Sequence, residues 1–181
     1  MPPKKRKRPR SKSTRKTKTK SKPSLATLKT MFRGAVLSAI QRLPSNFPGS
    51  AWAEIPGFAK VYLNHRHTVW GLSPRAREDM FKPGFKMVSV INMDSFEVDS
   101  KYRGKGVAGD IINYVKDLVE KKEIPMKYVS VGTLVNRRWA KKLKKTLIPK
   151  GWQLYGDVFS VYFRWPAIKN SRDTLDPSVL E

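Results

Sequence analysis

One stretch near the middle of the chain constrains its fold more than any other. An apolar, strand-like run from Met87 to Val98 leads into Asp99-Ser-Lys-Tyr-Arg-Gly-Lys-Gly106, and a helix-like run extends from Val107 to Glu120. A glycine turn between strand and helix lets backbone N–H groups crowd together without Cβ interference. The helix behind it presents unpaired N–H groups and the positive end of its dipole, a setting suited to phosphate.

Charge narrows the partners. The net charge is +24, and residues 1–22 hold twelve Lys or Arg and no acid, so the remaining chain still carries +12. A like-charge field of this size repels itself unless an anionic partner relieves it, and nucleic acid is the commonest such partner. A membrane surface is disfavoured, because the tail has no apolar side chain to insert. The absence of cysteine excludes disulfides and thiolate metal sites. No apolar run is long enough to span a bilayer or to act as a secretory signal, and the protein is expected to be intracellular: cytoplasmic or nucleoid-associated, or nuclear in a eukaryotic or eukaryotic-virus source.

Three segments are expected: a disordered basic tail (1–23), a folded domain (24–166) and a loose C-terminal tail (167–181). The first segment cannot bury enough apolar area to offset ordering entropy. Its run Pro3-Lys-Lys-Arg-Lys-Arg-Pro9 reads as a phosphate-binding arm or an import signal. Ser24 to Leu43 predicts a helix capped by Ser24 and stopped by Pro44. Residues 44–57 read as a loop with Trp52 and Ile55 anchored in the core. Phe58–Leu63 and Thr68–Leu72 read as strands joined at Asn64-His-Arg66, and Pro74–Phe81 as a short helix. After the central helix come a strand (Lys127–Val135), a helix (Asn136–Leu147) and a hairpin, Trp152–Tyr155 with Val158–Trp165, turning at Gly156-Asp157. The fold class is α+β, a mixed sheet with helices on its faces.

Gly104-Lys-Gly-Val-Ala-Gly109 matches G-x-G-x-x-G. The dinucleotide reading is weak, because five residues separate the turn from its strand and no acid ends the next strand. Arg103-Gly-Lys-Gly106-Val-Ala108 also matches Q/R-x-x-G-x-G/A, the pyrophosphate loop of the GNAT superfamily of acyltransferases. The order Asn136, Ala140, Leu143, Gly151-Trp152 resembles that family's second motif, so the resemblance covers residues 86–165. It implies a GNAT-like sheet with two splayed parallel strands, about Asn92–Val98 and Tyr128–Val135, and a closing hairpin. It also implies acetyl-coenzyme A, or another acyl-coenzyme A, as co-substrate, with no metal.

By the same resemblance, Val98, Arg103, Gly104, Lys105, Gly106, Val107 and Ala108 would hold the coenzyme, and Asn136 would face it near the thioester. Attack of a neutral amine on a thioester needs a base and an acid for the leaving thiolate. Asp94, on the strand face of Asn92, and Glu97, on the other face, are the candidate bases. The family's usual helix tyrosine is missing, and Tyr155 is the candidate substitute acid. Lys4, Lys5, Arg6, Lys7, Arg8 and Arg10 of the tail, with Arg137, Arg138, Lys141 and Lys145 of the last helix, are the candidate phosphate contacts. His65 and His67 read as turn or strand-edge residues rather than metal ligands. The expected function is N-acyl transfer to a nucleic acid or nucleic-acid-bound protein. A non-catalytic nucleic-acid-binding protein on the same fold is the alternative, and a small-molecule amine acetyltransferase is the weakest reading.

Overall fold

The computed structural model describes residues 22–44, 48–68, 88–132, 137–156, 161–169, 171 and 173–180. The basic tail, the predicted helix over 74–81, Asn136 and the residues between Gly156 and Val161 lie outside them.

Helix α1 (Leu25–Gln41) begins as the sequence predicts: the Ser24 hydroxyl accepts from the Thr27 amide at 3.1 Å. Leu28, Phe32, Val36 and Ile40 recur at four-residue spacing and are buried. Phe32 meets Phe58 edge-on, with ring centroids 6.0 Å apart.

The segment expected to be a loop instead forms β1 (Gly49–Ile55). Its burial alternates, with Ala53 inside and Ser50, Trp52 and Glu54 exposed. Alanines on the inner face leave room for α1 to pack closely, and Trp52 is thrown to the surface, 45% exposed, rather than anchored in the core. A second correction concerns Asn64-His-Arg66, which is no turn. It lies inside a single strand, β2 (Ala59–Thr68), paired antiparallel to both β1 and β3 (Val88–Val98). The polar residues are tolerated there because they are bonded: His65, 1% exposed, shares hydrogen bonds of 2.7 Å with the Pro44 carbonyl and the Ser89 hydroxyl.

Helix α2 (Val107–Glu120) buries Ile111, Ile112, Val115 and Leu118 and is tied to α1 by an Arg33–Asp110 ion pair. Strand β4 (Tyr128–Val131) returns parallel to β3. Helix α3 (Arg137–Leu147) then leads to β5 (Gln153–Gly156) and β6 (Val161–Trp165). The sheet order is β1-β2-β3-β4-β6-β5, antiparallel except for β3 with β4. This is the mixed α+β architecture expected of a GNAT-like fold. The closing hairpin differs in register: Gly156 pairs with Val161 and so belongs to β5, not to a two-residue turn at Gly156-Asp157.

Beyond Trp165 the chain is not loose where described. Thr174 bridges to Tyr155, the Leu175 amide donates to the Leu154 carbonyl at 3.0 Å, and Leu180 is buried. The anchor is Arg164, wholly buried, whose guanidinium reaches Asp173 at 2.9 Å and Gln153 at 2.7 Å. Burial alone would raise the Asp173 carboxyl, but its bonds to Arg164 and Ser171 outweigh that and hold it below its ordinary 3.8. A depressed carboxyl contributes stability that is present above the unfolded value near 3.8 and lost as pH falls through the folded one. Urea unfolding should therefore show Arg164→Ala losing about 3–5 kcal/mol at neutral pH. For Asp173→Asn the loss should shrink steadily as the solution is acidified below the ordinary carboxylate range. A loss independent of pH would show that the ion pair is not its source.

Candidate active-site cleft

Strands β3 and β4 stay paired from Val90/Tyr128 to Met93/Val131, and the last link is the Gly132 amide to the Met93 carbonyl at 2.8 Å. Among the described residues, β3 beyond that point and on to Val98 is paired with β2 alone. The break coincides with a bulge. Leu63 faces Met93 and Tyr62 faces Ser95, which leaves Asp94 as the extra residue. A bulge sharpens strand twist locally and ends regular pairing. The described pairing of the two parallel strands ends at Met93 and Gly132, and a cleft of about 920 Å³ lies between β3, the glycine turn and α3.

The turn is built for close approach. Gly104 and Gly106 have φ of 76° and 72°, a backbone region that side chains with a Cβ resist. The amides of Arg103 and Lys105 are used inside the turn, donating at 3.3 Å to the carbonyls of Ser100 and Tyr102. Among the described residues no group accepts from the amides of Gly104, Gly106, Val107, Ala108 or Gly109. The last three open α2, where the first N–H groups of a helix have no carbonyl of their own helix to bond, so these donors are left for an outside acceptor. All five of these residues line the cleft, except that Lys105 between them does not, and Val98 lines it too.

The charged neighbours are arranged differently from the simplest expectation. Arg103 folds back, its Nε donating to the Val98 carbonyl at 3.0 Å, and the Lys105 ammonium sits 5.5 Å from the Tyr102 ring centre. Beside Gly106 stands Lys29 of α1, its Nζ 3.8 Å from where a Cβ on that glycine would lie. Local pattern could not reveal Lys29, because only the tertiary packing of α1 beside α2 brings positions 29 and 106 together.

At the apex, the Asp94 carboxylate accepts from Asn64, Asn92 and Arg66, the last at 2.9 Å. It is an anchored anion holding side chains of two neighbouring strands together. Asn92 is 2% exposed, and its Oδ1 has no hydrogen-bond partner among the described residues. Glu97 lies in the cleft wall, 3.1 Å from Lys60. The bulge shifts the strand's alternation, so Ser95 and Glu97, opposite Tyr62 and Lys60, share the face of Asn64 rather than standing on the reverse face from Asp94. Tyr155 does not line the cleft. Its hydroxyl is 2.8 Å from the Ser130 hydroxyl, and burial pushes the phenol well above its ordinary value, against the opposing Ser130 bond. Ser130 faces Asn92 across the strands, so that serine links the tyrosine to the apex.

Helix α3 forms the far wall through Arg138, Trp139, Lys142, Leu143 and Thr146, with Trp139 5.8 Å from the Phe96 ring. Lys141 and Lys145 are exposed away from the cleft lining, and Arg138 is exposed at its edge. Asn136 falls outside the described residues, and Arg137 is placed only as the first residue of the helix.

No protein-family model matches the chain, and no curated protein does. Several solved structures resemble it, among them two at low scores. One is Arabidopsis thaliana Naa50 in complex with the bisubstrate analogue CoA-Ac-MVNAL, at 14% identity and a TM-score of 0.37, covering 59% of this chain and 63% of that one. The other is a tyrosine-to-phenylalanine mutant of KacT, at 11% identity and a TM-score of 0.37, covering 64% of this chain and 68% of that one. At these scores neither likeness bears weight, and function is to be read from the cleft itself.

Gly132 tests the apex directly. A Cβ there would collide with the Asp94 carboxylate and stand 3.2 Å from the Asn92 amide. Gly132→Ala should cost about 1–3 kcal/mol, read as a lowered thermal midpoint. An unchanged midpoint would mean that the apex side chains are not packed as described.

Proposed function

We propose that the chain is an acyl-coenzyme A-dependent N-acyltransferase. The observation that carries the reading is the set of open amides at Gly104 and Gly106 to Gly109, set at the mouth of a strand wedge. Convergent backbone N–H groups at a helix N-terminus suit a diphosphate, and Lys29 adds a cation beside them. The edge of β3 from Asp94 to Val98, which pairs with β4 nowhere among the described residues, would supply backbone groups for an amide-bearing arm. The thioester of such a co-substrate supplies the activated acyl group.

The chain's own side chains then have distinct parts. Asp94 keeps the apex rigid, and its three donors suit it to positioning rather than to proton abstraction. Glu97, exposed in the cleft wall, is the carboxylate placed to take a proton from an entering ammonium, directly or through water. Tyr155 would serve the departing thiolate by way of Ser130. The charge of +24 and the basic outer side of α3 support an acceptor held on, or bound to, nucleic acid, in an intracellular setting. The non-catalytic alternative draws on one specific observation: Asp94 is fully engaged and Tyr155 lies away from the cleft, which leaves few groups for proton transfer.

Calorimetry with acetyl-coenzyme A should give saturable heat at one site. Lys29→Glu should weaken it by roughly fivefold at low salt and by less at high salt. Absence of heat would end the coenzyme reading; heat without any acyl transfer would favour the alternative. Separately, replacing Arg138, Lys141 and Lys145 with alanine should flatten the salt dependence of nucleic-acid binding by about two to three counterions. An unaltered slope would take this helix out of the interface.

A further inference from the structure

We propose that Lys60 is itself an acyl acceptor, so that the protein acylates its own cleft wall; this rests on the coenzyme reading above. An N-acyltransferase needs a primary amine, held near a carboxylate and within the cavity that takes the acyl donor. Lys60 meets these conditions. It lines the same cleft as the glycine turn. Its backbone is fixed in β2 opposite Glu97, and its Nζ lies 3.1 Å from the Glu97 carboxylate. The same ammonium stands 5.0 Å from the centre of the Trp52 ring, which packs at a tilt on Tyr62 with centroids 4.9 Å apart. An aromatic face and a carboxylate together form a cage for an ammonium group. Here the chain's own lysine fills it. The other lysine in the cleft wall, Lys142 on α3, has no carboxylate within ion-pairing distance among the described residues.

The step balances without a further reagent. Glu97 takes one proton from the Lys60 ammonium, and the freed amine attacks the thioester carbonyl. The tetrahedral intermediate collapses with cleavage of the C–S bond. The thiolate leaves and takes up the second proton shed by the new amide nitrogen, while Glu97 returns its proton to water. Both side chains are partly open, 36% exposed for Lys60 and 59% for Glu97, so water can carry that proton away. The product amide is neutral. It no longer pairs with Glu97 or with the face of Trp52, and the cage is left vacant for the ammonium of an outside acceptor.

The test is incubation of the full chain with acetyl-coenzyme A and peptide mass mapping over time, with binding measured in parallel by calorimetry. The expected result is acetylation of Lys60 ahead of all other lysines, at a rate independent of protein concentration. Glu97→Gln should slow it roughly tenfold or more. Lys29→Glu, which leaves the strained glycine turn untouched, should slow it in proportion to lost coenzyme occupancy. Binding heat with Lys60 unmodified, modified in step with the tail lysines, or unaffected by Glu97→Gln, overturns the proposal and leaves the coenzyme reading standing. No binding heat overturns both.

Discussion

Everything distinctive in this site depends on two parallel strands whose pairing, among the described residues, runs no further than Met93 and Gly132. Regular hydrogen bonding between β3 and β4 would close the sheet and leave no interior for a ligand. The extra residue at Asp94 breaks that regularity, and the Asn64–Asp94–Asn92–Arg66 cluster fixes where the break occurs. A glycine at position 132 is the matching concession from the other strand, since any Cβ would occupy the space taken by the cluster. The unpaired backbone that results is costly when buried without partners. A strand edge of this kind beside open amides is best understood as a surface that awaits an extended, hydrogen-bonding guest.

Charge is distributed to suit such a guest. In a chain of net charge +24, three of the fourteen acidic residues, Glu54, Glu97 and Asp99, line one cleft. Of the cations around the glycine turn, Lys29 stands beside Gly106, while Arg103 is turned back to the Val98 carbonyl and Lys105 lies against Tyr102. The carboxylates of Glu54 on β1 and Glu97 on β3 flank Lys60 of β2. The cleft therefore has an anion-seeking end and an ammonium-seeking side, although the protein as a whole would repel small cations.

Much of this was legible in the sequence wherever local rules agreed with tertiary ones. Helices α1 and α2, strand β3 and the glycine turn carry strong periodicity, a serine cap and glycines at positive φ, and they form where pattern placed them. The failures share a cause. β1 hides its inward face behind alanines, whose small size is a packing requirement of α1 and looks like loop composition. β2 carries Asn64, His65 and Arg66 because each finds a partner across the sheet or at Pro44, and a polar triplet without sight of those partners reads as a turn. The bulge at Asp94 moves Glu97 to the face of its supposed opposite, which no alternation rule anticipates. Arg164 looked like one cation among many, yet it ties the C-terminal residues to the sheet. The glycine turn was legible as a turn between strand and helix, while Lys29 and the Lys60–Glu97–Trp52 cluster depend on contacts distant in sequence.

If the free amides of the glycine turn bind the diphosphate of an acyl-coenzyme, their resonances must respond to it. Amide-resolved nuclear magnetic resonance during titration with coenzyme A is the most direct measurement. Saturable shifts are expected to concentrate at Gly104, Gly106, Val107, Ala108 and Gly109, with smaller ones along Asp94 to Val98. Shifts confined to the basic outer side of α3, or spread in proportion to surface charge, would contradict a diphosphate held by these amides.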